Sequence, residues 1–387
     1  MTKISMESRQ EVIKRYCAKY KRSAKKEKGR ILDSVCLTTG LSRDRAKKLF
    51  GECQRKSSVL KKKKPGRKLK YGASVIATLE KVWAFMDFAC GKRLSAGMEG
   101  MLDALIRFGE LDCDKDTLKC LLEISPATID RLLKGAKKRI SFKGISATKP
   151  GTLLKKDIPI RRGTEWDDAV PGYVEVDLVA HCGTTTAGEY INTLDVTDIF
   201  SGWTETQAVI NKAQKHVFNA LMDIKKRQPF PLLGIDSDNG SEFINHHLVR
   251  YCKQEGICFT RSRPNKKNDG CHVEQKNWSV VRRNIGYGRY EGMEALNVMN
   301  EYYGLLRLYT NFFLPSAKLI SKSRDGAKIR KQYEKPQTPY DRLMSSHHIG
   351  QDVKENLREI WLTLNPVELK RGMLRLLEHL MKLGTAC

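Results

Sequence analysis

A short apolar run, Leu232 to Ile235, that ends in Asp236-Ser237-Asp238-Asn239-Gly240 constrains this chain more than any other stretch. The run follows Pro229 and Pro231 and is closed by Asn239-Gly240, so it reads as a buried strand that delivers carboxylates to its end. Downstream, 35 residues separate Asp238 from Glu274, which lies in a helix-forming segment beginning near His272. Upstream, Tyr173 to Val179 reads as a second strand and carries Asp177. Three carboxylates on separate elements converge only if the strands share a sheet and the helix packs across it.

A set of carboxylates with no histidine beside it suits hard cations such as Mg²⁺ or Mn²⁺. Two such ions activate an attacking oxygen and stabilise a leaving one in phosphoryl transfer. An isolated Asp-Asn-Gly is ordinarily just a turn. Val176-Asp177, Asp238-Asn239-Gly240-Ser241-Glu242-Phe243 and Val273-Glu274, taken with their spacing, resemble the retroviral-integrase superfamily of D,D,E transposases and, within it, the integrase-core transposases of bacterial insertion sequences. The resemblance runs from about Trp166 to Tyr309. It implies a catalytic triad of Asp177, Asp238 and Glu274 that also holds metal, two ions per site, and an α/β ribonuclease-H-like core with a mixed five-stranded sheet. Asp236 sits two residues before Asp238 and would face the same way in a continuing strand. The resemblance assigns the metal to Asp238 and leaves Asp236, Asn239 and His272 as supporting residues.

Lys and Arg number 71 against 44 Asp and Glu, a formal charge of +27, so the expected partner is a polyanion. Hydrophobic residues at 40% are enough for real cores rather than a disordered basic tail. The eleven cysteines form no CxxC pair, which fits a reducing cytoplasm, nucleoid-associated when the chain is on DNA. No apolar run approaches the roughly 20 residues of a membrane span. The first histidine is His181, so no structural zinc module is expected in the N-terminal half, a departure from retroviral integrases.

Residues 1–60 read as a helix-turn-helix region. Ile31 to Phe50 pairs two helices through Gly40, with Ser42 as the second cap and Arg43, Arg45, Lys47 and Lys48 exposed toward DNA. Residues 61–73 are a basic linker in which Lys61, Lys62, Lys63, Lys64, Arg67 and Lys68 are candidate phosphate contacts. Residues 74–141 form a second helical region: Val75, Leu79, Val82, Trp83 and Met86 share a buried stripe. Within it Leu118 to Leu133 is a second candidate helix-turn-helix, capped by Ser125-Pro126, with Thr128 and Arg131 as contacts. Another linker, 142–165, leads into the core at 166–310.

The core reads as three strands, helix, strand, helix, strand and helix, with Asp195 and Asp198 assigned to a turn at the end of the second strand. Lys266 and Lys267 lie in a polar loop before Glu274, and Lys276, Arg282 and Arg283 follow it as further phosphate contacts. Residues 311–387 read as a basic arm and a helical tail whose amphipathic stripes suit packing or subunit contact.

The resemblance therefore implies a DNA transposase that cuts at element ends and transfers the 3′ hydroxyl into target DNA, acting on double-stranded DNA as a homo-oligomer of at least two chains. Two rival readings stay open: a ribonuclease-H-like nuclease, and a DNA-binding regulator descended from a transposase.

Overall fold

Ser5 opens the N-terminal unit by accepting the Ser8 backbone N–H, which caps α1 (Met6–Arg22). Two further helices, α2 (Lys25–Thr39) and α3 (Arg43–Arg55), follow in the same unit, which spans Met1–Leu69. Gly40 terminates α2 at a φ of 68°, a left-handed conformation that a Cβ would strain, and Ser42 receives the Arg45 N–H at 3.4 Å. Ile13, Ile31, Leu32, Val35, Ala46 and Phe50 form the core, on which Tyr20 stacks with ring centroids 4.3 Å apart. The computed structural model describes residues 5–55, 70–139, 170–237, 242–243, 246–261, 271–325 and 328–385.

The second unit, Lys70–Cys387, begins with α4 (Ala73–Phe85), α5 (Gly91–Arg107), α6 (Lys115–Glu123), α7 (Pro126–Leu132) and α8 (Lys134–Arg139). The expected stripe of α4 is buried, with Trp83 only 4% exposed. A Cβ on Gly91 would stand 2.2 Å from the Pro126 carbonyl oxygen, so glycine is required where α5 meets α7. Ser125 caps α7, with Pro126 in its first turn, as the sequence predicts.

A five-stranded sheet follows: β1 (Tyr173–Ala180), β2 (Asn192–Asp198), β3 (Thr204–Val209), then α9 (Gln214–Arg227), β4 (Gly234–Ser237), α10 (His246–Gln254) and β5 (Cys258–Arg261). The strand order is β3-β2-β1-β4-β5, antiparallel through the first three and parallel from β1 to β5, which is the ribonuclease-H-like arrangement. Side chains alternate across each strand. One face presents Val174, Val176, Leu194, Val196 and Ile235 to α9 and α10. The other carries polar rows: Thr197, Glu175, Asp236 and Thr260 lie in mutual register, and two residues along, Asp195 is opposite Asp177.

That polar face is covered by α11 (Cys271–Lys276), a π-helical segment Asn277–Arg282 and α12 (Arg283–Ile285), after which α13 (Gly292–Phe313) runs along β3. The Asn300 side chain bonds the N–H and C=O of Ala208, and that of Asn311 bonds both groups of Thr204. Two asparagines thus occupy backbone groups on an edge strand that would otherwise invite another strand.

The chain ends with β6 (Leu319–Asp325), β7 (Lys328–Tyr333), α14 (Pro339–Ser345), α15 (Gln351–Thr363) and α16 (Pro366–Leu383). The basic arm thus contains a paired hairpin that the sequence reading lacks, and Asp325-Gly326 is the turn signal for it. Val75 and Leu94 from the second helical region share one apolar cluster with Tyr309, Leu357 and Met373. The sequence reading separated residues 74–141 from 311–387, whereas in the fold both complete a single core around α13. Among the described residues no helix is long and apolar enough to cross a membrane.

Candidate active site and nucleic-acid interface

Asp177 lies near the middle of β1 and is half-buried; its Oδ1 accepts the Leu178 N–H at 2.8 Å. Glu274 is exposed on α11. Two hydrogen bonds tie that helix to β1 on either side of Glu274. The buried Glu175 carboxylate accepts the Val273 backbone N–H at 3.0 Å, and the Asn277 side-chain amide donates to Asp177 Oδ2 at 2.5 Å. The first bond stabilises the start of α11, where a backbone N–H has no partner within the helix. The second holds Asp177 from the side of the glutamate. The helix carrying Glu274 is therefore docked on the strand carrying Asp177.

Asp238 and Asn239 lie outside the described residues. The strand that leads to them, β4, ends at Ser237, which stands in register with Val176. Asp236 is 1% exposed and accepts the Thr260 hydroxyl at 2.6 Å. Its carboxylate is engaged inside the sheet. His272 belongs to α11.

Asp195 departs from the sequence expectation. It stands within β2, fully buried and opposite Asp177, rather than in a turn. Asp198 does serve the turn, accepting the N–H groups of Gly172 and Ser201. The sequence reading ends the second strand at Asp195, whereas β2 runs on three residues to Asp198. Burial raises the Asp195 pKa, opposed by Lys276 and aided by the charge of Asp177. Burial lowers that of Lys276, with Asp195 opposing. Asp195 Oδ2 has no hydrogen-bond partner among the described residues.

The proposed phosphate contacts after Glu274 are largely committed inside the molecule. Lys276 turns its ammonium to the Gly202 carbonyl at 3.2 Å rather than outward. Arg282 donates to the Ala180 carbonyl at 2.7 Å and lies 4.9 Å over the Tyr287 ring, while Arg283 reaches the Asp87 carbonyl. The inward turn of Lys276 follows from the buried acid opposite it, which a pattern of surface charges does not reveal. Lys266 and Lys267, like Lys61 to Lys64, Arg67 and Lys68, fall outside the described residues. On α3, Arg43, Arg45, Lys47 and Lys48 are all exposed, with Arg43 paired to Asp33 and Lys47 3.7 Å from Asp44. Arg131 donates to the Thr128 hydroxyl at 2.8 Å on α7.

Sequence reasoning missed Glu175, Asn277 and Trp278. Glu175 sits two residues before Asp177 and so shares its strand face, and Asn277 and Trp278 follow Glu274 by three and four, about one helical turn. Among the described residues no three His, Cys, Asp or Glu side chains cluster closely enough to hold a metal.

Residues 167–267 match the integrase core domain family. That matched stretch holds the five strands of the sheet, so the chain carries an integrase-like core of ribonuclease-H-like topology. Over 342 residues, 88% of this chain and 96% of the relative, it is 38% identical to the uncharacterized protein y4rM of Sinorhizobium fredii, and it belongs to that protein's family. Among solved structures it is similar to the catalytic core domain of BIV integrase, at 18% identity over 44% of this chain and 91% of that one, with a TM-score of 0.28. The dimeric form of the HTLV-2 integrase catalytic core in complex with magnesium matches at 14% identity over 39% and 93%, with a TM-score of 0.30.

Proposed function

We propose that this chain is a DNA transposase that cuts at the ends of its element and joins the 3′ hydroxyl to target DNA. The observation that carries the reading is the docking of the Glu274 helix on the Asp177 strand through Glu175–Val273 and Asn277–Asp177. Asp177, Asp238 and Glu274 would hold Mg²⁺ or Mn²⁺, and this all-oxygen donor set fits a hard cation. Bound there, two such ions supply activation of the attacking oxygen and stabilisation of the leaving one.

The chain's own residues prepare the site. Asn277 fixes the orientation of Asp177, and Glu175 fixes the helix on which Glu274 rides. The buried Asp195 stands opposite Asp177 with its pKa pushed up to about 8 by burial, so near neutral pH it is largely protonated and adds little charge behind Asp177. Water attacks in the cutting step and the DNA hydroxyl in the joining step, so no covalent protein intermediate forms. Both ends of an element must be delivered together and the chain carries one triad, so the active unit is at least a dimer.

Labelled element ends, a target plasmid and Mg²⁺ incubated with purified protein test the reading. Nicked ends and joined products are expected, and Asp177→Asn, Asp238→Asn or Glu274→Gln should abolish both while DNA binding persists. Nicking without joining would favour a nuclease. Tight binding with neither reaction would favour a regulator.

A further inference from the structure

Trp278 is 59% exposed, whereas Trp83 and Trp203 are 4% and 2% exposed. A lone exposed aromatic is ordinary on a protein surface. This one is set apart by its place: it follows Glu274 by four residues on the continuous helical run formed by α11, the π-helical segment and α12. Four residues further stands Arg282, whose guanidinium lies 4.9 Å over Tyr287, itself 36% exposed. In an α-helix, residues four apart drift by about 40° around the axis. The wider i→i+5 turns of the π-helical segment remove part of that drift. Glu274, Trp278 and the Arg282–Tyr287 pair therefore form a single track: carboxylate, open indole, then cation on an aromatic ring.

We propose that this track receives the unpaired bases of an opened DNA end, with one base stacked on Trp278. The inference rests on the reading of the chain as acting on DNA ends. Within a duplex each base face is covered by its neighbours, so an indole can stack only on a terminal base or one freed from its partner. Four residues advance about 6 Å along a helix, close to two duplex base steps of about 3.4 Å. A base on Trp278 thus belongs within a nucleotide or two of the phosphate at Glu274. Stacking on an aromatic side chain tolerates any base, so Trp278 selects for an opened end rather than for a sequence. The net charge of +27 supplies the sequence-independent attraction that brings DNA to the surface.

The test uses the full chain without divalent metal and two 20-base-pair probes of arbitrary sequence. One is fully paired with 2-aminopurine at an internal position, and the other has three unpaired bases at one end with 2-aminopurine among them. Wild-type protein is expected to quench the unpaired 2-aminopurine and to prefer the opened probe. Trp278→Ala should lose the quenching and bind the opened probe about 5- to 150-fold more weakly, the range for loss of one stacked base, with paired-probe affinity within about twofold as the check on folding. Trp278→Phe should restore most of the preference. Unchanged quenching and preference in Trp278→Ala would overturn the proposal, as would a Trp278→Phe chain no better than the alanine variant, or wild-type protein that binds neither probe. Cutting and joining are read separately: a chain that discriminates the probes but never cuts keeps this inference while losing the transposase reading.

Discussion

The Asn277 side-chain amide meets Asp177 Oδ2 at 2.5 Å, joining the helical run that bears Glu274 to the strand that bears Asp177. Asn277 Oδ1 is buried without a hydrogen-bond partner among the described residues, so the side chain is held chiefly by what its nitrogen does. Such a contact sets where a metal-binding carboxylate points, and its loss typically costs 10- to 100-fold in affinity or activity. Asn277→Ala should lower joining by about that factor and raise the Mg²⁺ concentration needed for half-maximal rate. A variant with normal Mg²⁺ dependence would reduce Asn277 to a packing role.

Glu175 works on the other side of Glu274. Removing its carboxylate leaves the Val273 N–H without this acceptor in a buried setting, at a cost of about 1–3 kcal/mol. Glu175→Ala should lower the unfolding midpoint and slow joining at least about tenfold, whereas Glu175→Gln, which keeps an acceptor oxygen, should join within a few-fold of wild type. Equal rates in both variants, despite lost stability, would show that Glu175 serves the fold alone.

Asp236 and Asp238 are separable by the same logic. Asp236 is engaged by Thr260 inside the sheet, so Asp236→Ala, which removes that acceptor, should cost stability, visible as a lower urea midpoint, while cutting continues. Asp238→Asn should leave the midpoint unchanged and stop cutting. The opposite pattern would exchange their roles.

The strands were legible because apolar residues recur every second position, and β1, at Tyr173–Ala180, falls within one residue of the expected Tyr173 to Val179. The buried polar face was not. Alternation of apolar and polar residues ordinarily marks a strand with one face in water. Here Glu175, Asp177, Asp195 and Asp236 sit under α11 and the π-helical segment, and nothing local in β2 announces that cover. The same blindness hid Lys276: a lysine two residues after Glu274 reads as a phosphate contact until Asp195 is known to lie opposite it. The helix that carries Glu274 falls where the sequence places it, near His272, and the hairpin in the basic arm could have been found from Asp325-Gly326.

On α3, the four basic residues are not equivalent. Arg43 and Lys47 have acidic neighbours at Asp33 and Asp44, which leaves Arg45 and Lys48 as the stronger candidates for phosphate contact under the proposed function. Replacing both with alanine should weaken binding to element ends and make the slope of log affinity against log salt shallower by about 2, one condensed counterion for each lost contact. Replacing Arg43 and Lys47 instead should change it less. A slope identical to wild type in the Arg45/Lys48 variant would move the DNA surface off this helix.

His181 gives the fold a pH dependence whose sign can be worked out. Its ring is fully buried, with Nε2 2.7 Å from the Thr193 hydroxyl, which lies a further 2.7 Å from the hydroxyl of Tyr303. Burial, with Arg282 adding, holds its pKa down from the ordinary 6.5 to about 3, so the folded chain keeps the imidazole neutral. The unfolded chain binds a proton first as pH falls, so this contribution to stability is complete above pH 6.5 and is lost progressively as pH drops toward 3. Between pH 7.5 and 5.0 the loss amounts to about 2 kcal/mol. Urea unfolding of wild type and of His181→Gln at those two pH values checks this. The variant should be less stable at pH 7.5 yet show a smaller fall between the two, because its side chain cannot take the proton. An equal fall in both proteins would place the acid sensitivity elsewhere in the chain.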